Sequence, residues 1–223
     1  MKKIYSLICL LIIAQVGFAQ KFHFGLKASP GLYWIATDAS YTESNGGNMG
    51  FNYGAIAEFG FTDNYAFATG VDVSNKAGSY TYKTPTLSNN IDLNLQYLEV
   101  PLTIKMKTNE VGYFKYYGQF GLTVGFNLSG SYTGDVKTVT ASGKDTTYII
   151  SKTQFGNDSK SIDASLFRAG LLIGAGLEYN LAGSTSLLAG ISWDNAFLDA
   201  LETKNNTPKI KLKGLLLNVG ILF

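Results

Sequence analysis

Cysteine is almost absent from this 223-residue chain, because Cys9 is the only one. It lies in a short apolar run that follows two lysines near the N-terminus and ends with small residues, including Ala19, before Gln20. A basic start and an apolar run too short to span a bilayer are typical of a cleavable secretory signal peptide. We predict cleavage between Ala19 and Gln20, which leaves residues 20–223 as one domain. That domain would lack disulfides, thiolate metal sites and a cysteine nucleophile.

Charged side chains are also scarce, at 15% of residues, against about 25% in typical soluble domains. The 18 basic residues include the two lysines of the leader, whereas all 16 acidic residues follow it, so the mature chain is formally neutral. A neutral chain has no basic field to attract nucleic acid, and we exclude nucleic acid as a partner.

No apolar run after Gln20 is long enough for a membrane helix, which needs about 20 residues. The chain has instead 25 glycines, 14 tyrosines and 14 phenylalanines, with only 4 prolines. In hydrocarbon only helices and closed barrels satisfy every backbone polar group. If this chain meets a membrane, it must therefore cross it as strands of a closed barrel.

Alternation of apolar with small or polar residues is the strongest pattern in the chain. Between residues 51 and 61 the odd positions are Phe, Tyr or Ala, and the even positions include Asn, Gly and Glu. A period of two predicts a strand with one apolar face, and about ten tilted residues span a bilayer. The pattern predicts eight strands, at residues 22–29, 51–62, 65–74, 93–106, 114–128, 167–179, 187–194 and 214–223. A change of phase near Tyr97 and Leu98 predicts a β-bulge there.

The connections between these strands alternate between short and long. Short ones occupy residues 62–64, 107–112 and 180–185, and long ones occupy residues 35–49, 75–90, 129–162 and 195–209. Short periplasmic turns and long outer loops are typical of outer-membrane barrels. We therefore predict an all-β fold, a transmembrane up-and-down antiparallel barrel of eight strands with both mature termini in the periplasm. A hairpin of residues 136–140 and 146–153 would raise the number to ten if it entered the wall.

Five segments resemble the PorT-like outer-membrane β-barrel family. They are residues 24–27 (FGLK), 97–105 (YLEVPLTIK), 117–125 (YGQFGLTVG), 174–178 (GAGLE) and 220–223 (GILF). The resemblance spans nearly the whole mature chain and implies the fold and an outer-membrane location. Members of the family differ in function, so the resemblance implies no activity. The last strand resembles the signal read by the barrel-assembly machinery, carried here by Val219, Ile221 and Phe223.

The predicted inner face carries charged residues, and these form the candidate site. A structural charge network is predicted for Glu58, Asp72, Glu99, Lys105, Arg168 and Glu178. An eight-stranded barrel is just wide enough for side chains to fill it, so ion pairs would plug the lumen. Arg168 is the only arginine, and its guanidinium suits pairing with carboxylates. We predict Glu58 or Glu99 as its partner.

Aromatic residues gather near both ends of the predicted strands. The outer group is Tyr33, Trp34, Tyr80, Tyr82, Trp193 and Phe197, and the inner group is Phe22, Phe61, Tyr65, Tyr113, Phe114, Tyr179 and Phe223. Two such bands are typical of interfacial girdles in membrane barrels.

Three functional classes remain open. The leading hypothesis is a monomeric structural or surface-interaction barrel with a plugged lumen, in contact with outer-membrane lipid and with an extracellular ligand at its loops. The alternatives are a narrow porin-like channel, and a soluble periplasmic ligand-binding barrel, which would need its apolar face inside. We predict neither enzyme activity nor a cofactor or metal, because His23 is the only histidine and has no evident catalytic or metal-binding partner.

Overall fold

The computed structural model describes residues 22–37, 39–84, 87–139, 145–155, 163–202 and 209–223. The predicted cleavage site, Ala19 and Gln20, lies outside them. The strands are β1 (Phe22–Ala36), β2 (Thr42–Ser44), β3 (Asn48–Gly60), β4 (Tyr65–Thr84), β5 (Leu87–Lys107), β6 (Phe114–Val139), β7 (Asp145–Gln154), β8 (Phe167–Ala182), β9 (Thr185–Ala196) and β10 (Lys211–Leu222). No helix within the described ranges is long and apolar enough to cross a membrane.

Eight of these strands close into an antiparallel barrel. The order around the wall is β1, β3, β4, β5, β6, β8, β9 and β10, and β10 pairs back with β1. The seam runs from Gly25 opposite Leu222 to Ala36 opposite Lys211. Phe223 extends it, because its N–H donates to the Phe24 carbonyl oxygen at 2.7 Å. The prediction of an all-β, eight-stranded up-and-down barrel is confirmed.

The short connections lie at the same end of the barrel as both termini of the described chain, which we call the lower end. Residues 61–64, 108–113 and 183–184 join β3 to β4, β5 to β6 and β8 to β9. The last of these is a two-residue turn in which Gly183 has a φ of 59°, a backbone conformation that favours glycine. The three short connections lie where the sequence predicts them.

β2 and β7 stand beyond the upper end of the wall. β2 pairs with the outer part of β4, and β7 pairs with the outer part of β6, where Lys137 lies opposite Thr147. The hairpin predicted from the sequence therefore exists as β6 and β7, although its turn, residues 140–144, lies outside the described residues. The alternative of ten wall strands is wrong, because β7 pairs only with the part of β6 above the barrel and does not enter the wall.

Side chains alternate between the lumen and the exterior along every wall strand. In β10, Leu216 and Asn218 are buried, whereas Leu215 and Leu217 are 47% and 52% exposed. The exposed apolar side chains form a continuous band that is about nine residues tall, as in residues 65–73 of β4. Nine tilted residues rise on the order of 20–25 Å, which matches the lipid-facing band of outer-membrane barrels. The soluble ligand-binding barrel is excluded, because it would leave this band in water.

The long outer loops predicted from the sequence are largely strands. β4 continues to Thr84 and β5 begins at Leu87, so residues 75–90 are mostly a paired hairpin. β6 likewise continues through residues 129–139. These segments are rich in Asn, Ser and Thr because their outward face meets water above the apolar band. Because their outward side chains are polar, these segments lack the apolar alternation from which a lipid-facing strand is predicted.

One irregularity interrupts the pairing of β5 with β6. Gln96 pairs with Ser129 but Tyr97 pairs with Asn127, so Leu128 of β6 is the extra residue. A bulge therefore occurs at the level of Tyr97, as predicted, but its extra residue lies on β6 and not on β5.

The change of phase in β5 has a different cause. Burial alternates without a break from Ile91 to Lys105, so the strand never turns over. Leu95 points into the interior and Leu98 points outward. The exterior of β5 changes from water to lipid between these two residues. On the water side the apolar side chains point inward, and on the lipid side they point outward.

The lower aromatic girdle forms as predicted on the exterior. Phe61 lies beside Tyr65 with ring centres 6.3 Å apart, and Phe114 lies beside Tyr179 at 5.1 Å. The upper girdle differs, because Tyr33 and Tyr80 point into the interior and are 0% and 1% exposed. Odd positions of β1 and even positions of β4 point inward, so Tyr33 and Tyr80 point into the interior. Their position near the strand ends does not change this.

Replacing Leu102 by Arg tests whether the exposed apolar band faces lipid. Leu102 is an outward residue near the middle of the band on β5. We expect Leu102→Arg to lower the free energy of unfolding by about 2–4 kcal/mol, as found for cations at the bilayer midplane. The measurement is urea unfolding in lipid vesicles.

The matched control is Asn94→Arg, on the same strand and face but above the band. We expect this change to cost less than about 1 kcal/mol. Equal effects of the two substitutions would contradict the assignment of the band to lipid.

Candidate functional site in the barrel lumen

The charged side chains of the lumen form two separate layers. The lower layer, nearer the termini, is Glu58, Lys105, Lys107 and Glu178, and the upper layer is Lys76, Glu99, Arg168 and Asp194. Strand alternation places all of them on the inner face. Each layer contains two cations and two anions and is therefore formally neutral.

In the lower layer two lysines bridge the same two carboxylates. The Lys105 Nζ lies 2.5 Å from an oxygen of Glu58 and 2.5 Å from an oxygen of Glu178. Lys107, two residues along β5, contacts both from below at 2.6 and 2.9 Å. The Lys105 ammonium also lies 4.1 Å from the centre of the Tyr117 ring. Several partners for each buried charge offset the cost of removing it from water.

In the upper layer Arg168 spans two carboxylates. Its two terminal nitrogens lie 2.8 Å from Glu99 and 2.7 Å from Asp194. The Lys76 Nζ contacts the same pair, at 2.6 Å from Asp194 and 3.2 Å from Glu99. The Ser74 hydroxyl donates to Glu99 at 2.7 Å. All four charged groups are almost fully buried.

Tyr33 lies beside the upper layer and fills the lumen between two glycines. Its ring centre is 4.8 Å from the Lys76 ammonium, and its hydroxyl donates to Asn52 at 2.9 Å. A Cβ added at Gly50 or Gly214 would lie 2.5 Å from carbons of this ring. Glycine is required at both positions because the aromatic ring occupies the space of a side chain.

Polar side chains occupy the level between the two layers. Lys27 pairs with Asp72 at 2.7 Å. The Ser29 hydroxyl donates to Asn218 at 2.8 Å, and the Asn218 amide donates to Ser192 at 2.9 Å. A cavity at this level, lined by Lys27, Thr103 and Lys105 among others, measures about 40 Å³, which is room for only a few water molecules.

An apolar core closes the lumen above the upper layer. Its buried members are Ile35, Tyr80, Ile91, Leu93, Leu95, Tyr97, Ala200, Leu201, Ile210 and Leu212. Ala200, Leu201 and Ile210 come from the connection between β9 and β10, where the Ala200 N–H donates to the Ile210 carbonyl oxygen at 2.7 Å. This connection therefore packs into the upper end of the lumen.

All six residues of the predicted charge network are buried in the lumen. Five belong to the two layers, and Asp72 pairs with Lys27 between them. Arg168 pairs with Glu99, one of its two predicted partners, whereas Glu58 belongs to the other layer.

Sequence reasoning missed two lysines of these layers. Lys76 and Lys107 fall in segments that we predict as connections. Both lie at positions that point inward, in steps of two residues along their strands. Lys76 follows Asp72 and Ser74, and Lys107 follows Lys105. Continuing the alternation of inward and outward positions beyond the apolar band would have identified both lysines.

The described residues contain no group of three or more His, Cys, Asp or Glu side chains that could hold a metal ion. His23 lines an open vestibule of about 640 Å³ at the lower end of the barrel. The vestibule ends at Glu58, Lys107 and Glu178, which are three of the four members of the neutral lower layer.

A comparison with protein families identifies this barrel. The family model described as "Outer membrane protein beta-barrel domain" matches residues 18–192. The chain belongs to that family. It is an outer-membrane β-barrel protein, and the narrower assignment to PorT-like barrels stays a prediction.

Solved structures of outer-membrane proteins are similar to this barrel at low sequence identity. Neisserial surface protein A is 15% identical with a TM-score of 0.46, and the match covers 90% of this chain and 95% of that one. OprG from Pseudomonas aeruginosa is 12% identical with a TM-score of 0.49, over 90% and 95% of the two chains. Ail of Yersinia pestis is 15% identical with a TM-score of 0.39, over 92% and 100%. No curated protein matches this chain.

Replacing Arg168 by Met tests the structural role of the upper layer. The change leaves Glu99 and Asp194 with one cation between them. We expect the free energy of unfolding to fall by about 3–5 kcal/mol, as when one partner of a buried ion pair is removed. Urea unfolding, followed by the fluorescence of the two tryptophans, measures the change.

Lys83→Met is the control for loss of a surface ion pair. Lys83 and Glu43 lie 2.6 Å apart, with side chains 56% and 67% exposed, and such pairs contribute at most about 1 kcal/mol. Unchanged stability of the Arg168→Met protein would refute the structural role of the layer.

Proposed function

We propose that this outer-membrane barrel conducts no solutes and acts through its extracellular surface. The observation that carries the proposal is the filling of the lumen by two neutral ion-pair layers and an apolar core, with a cavity of about 40 Å³ between them.

The lower layer acts as a wall between two spaces. Glu58 contributes to the lining of both the vestibule of about 640 Å³ and the cavity of about 40 Å³. Lys107 and Glu178 face the vestibule, and Lys105 faces the cavity. A solute entering from the lower end would have to separate these four charges before reaching the level of Asp72.

The free energy of the ion pairs supports a lumen that stays closed. Breaking a buried pair costs about 3–5 kcal/mol, and each 1.4 kcal/mol is a factor of ten in population. A state in which one layer alone is open would therefore be populated less than about 1% of the time. The upper layer and the apolar core add further barriers on the same path.

The extracellular surface is the part of the molecule that remains available for a partner. The outer parts of β4, β5 and β6, with β2 and β7, form a sheet above the apolar band. The described residues present no catalytic constellation on this sheet or in the lumen, which supports a binding role over an enzymatic one. We expect a monomer, inserted by the barrel-assembly machinery through Val219, Ile221 and Phe223 of its last strand.

Planar-bilayer recording tests the closed lumen. We expect purified protein to give no steady single-channel conductance, because the ion-pair layers leave no continuous water path. A general porin reconstituted in the same lipid is the positive control. Reproducible, ion-selective conductance steps would favour the narrow channel and overturn the closed lumen.

Cysteine labelling on intact cells tests the orientation, with β7 outside and the short turns in the periplasm. The predicted mature chain lacks cysteine, so single variants give an unambiguous signal. We expect a membrane-impermeant maleimide to label Thr147→Cys in β7 and to leave Asn109→Cys in a lower turn unlabelled. After lysis both positions should react, and the reverse pattern on intact cells would refute this orientation.

A further inference from the structure

A groove of about 670 Å³ crosses the outer surface of the wall at the upper border of the apolar band. Its uncharged polar lining residues are Asn75, Asn94, Gln96, Ser129, Ser131 and Gln154, and we call it the amide groove. Phe51, which is 46% exposed, lies at its edge, and Lys152 of β7 lies at the other end. The closure of the lumen uses none of these outward side chains.

Hydrogen bonds hold the floor of the amide groove in place across four strands. The Asn75 amide donates to the Phe51 carbonyl oxygen at 3.2 Å, and the Gln96 amide donates to Asn75 at 2.9 Å. The Ser129 hydroxyl donates to Gln96 at 3.4 Å. Each amide nitrogen carries two hydrogens, so Asn75 and Gln96 each keep one N–H free for a ligand.

Other polar groups of the groove are free among the described residues. Asn94 is exposed on the outward face of β5, and Gln154 is exposed on β7. Neither side chain makes a hydrogen bond with another described side chain or backbone group. The groove therefore offers several free donors and acceptors, which suits a ligand with many hydroxyl groups.

The charge of the groove favours a neutral or anionic ligand. Lys152 is the only outward charged residue among those that line it, and the lining contains no carboxylate. An ammonium at one end of an amide surface can pair with a phosphate. A cationic ligand would find no partner in this lining.

The position of the groove places its ligand at the membrane surface. Val73 and Leu98 are the last lipid-facing residues of β4 and β5. The next outward residues along these strands are Asn75 and Gln96, which belong to the amide groove. The groove thus begins at the level of lipid headgroups and continues toward β7.

We propose that the amide groove binds the sugar headgroup of a phosphorylated glycolipid anchored in the outer leaflet. Sugar hydroxyls would bond the free amides of Asn75, Asn94 and Gln96. A sugar face would lie against Phe51, and a phosphate would pair with Lys152. The proposal does not depend on a closed lumen, so the bilayer recordings test neither the groove nor its ligand.

Lipid binding to purified protein in a neutral detergent tests the proposal. The probe is a diphosphorylated lipid A that carries two core sugars, and the comparison lipid is phosphatidylglycerol. Native mass spectrometry counts the lipids that stay bound during a titration. We expect one retained glycolipid per protein, bound at least about tenfold more tightly than phosphatidylglycerol, because phosphatidylglycerol lacks the sugar hydroxyls that the free amides would bind.

Two substitutions on one strand distinguish the groove from the general surface. Asn94→Val with Gln96→Val removes two amides of the groove, and we expect glycolipid affinity to fall about tenfold or more. Asn90→Val removes an amide from the same face of β5 outside the groove, and we expect no change. If the double variant does not fold, Lys152→Gln with Gln154→Leu on β7 gives the same test outside the barrel wall.

Three outcomes would overturn the proposal. Equal binding of phosphatidylglycerol would remove the role of the sugar. Unchanged affinity of the folded groove variants would place the lipid elsewhere. Equally tight binding of the free core oligosaccharide, without acyl chains, would assign the groove to a soluble saccharide and exclude the membrane as its source.

Discussion

The structure depends on one constraint, the need to pair every backbone N–H and C=O group within hydrocarbon. Eight strands meet it only because β10 returns to β1, with Phe223 and Phe24 bonded to each other at the end of the seam. Closing a sheet of eight strands fixes a lumen about as wide as the side chains that line it. Everything inside the barrel then has to share that width, which is why Tyr33 requires glycine at positions 50 and 214.

The narrow lumen also determines how the charges are arranged. A single buried ion would be too costly, so each layer balances two cations against two anions. Arg168 and Lys76 come from β8 and β4, and their carboxylate partners come from β5 and β9. Two of the four contacts, Arg168 with Glu99 and Lys76 with Asp194, therefore join strands that do not pair through the backbone. The ion pairs connect opposite walls in the way that a disulfide would in other exported proteins.

The sequence predicts the wall well because lipid imposes a simple rule on outward positions. Residues 51–60 and 214–222 are assigned correctly to strands, with the correct face, because apolar side chains mark one side. Above the band the rule reverses, and Leu93 and Leu95 point inward while Asn94 and Gln96 meet water. This reversal explains the assignment of the bulge to β5, the strands predicted as loops and the omission of Lys76. The pairing of Arg168 with Asp194 required three-dimensional register, since the two residues lie on neighbouring strands without being opposite each other.

The apolar core beneath the outer sheet has a mechanical consequence. Leu201 and Ile210, on the connection between β9 and β10, pack against side chains of β4 and β5, so these outer strands and this connection share one core. Packing in one apolar core holds these strands and the described residues of the connection together as one packed surface above the bilayer. A partner that docks on it orders few additional residues, and little conformational entropy is lost on binding. The outer strands extend above the bilayer without the entropic penalty on binding that flexible loops of the same length would carry.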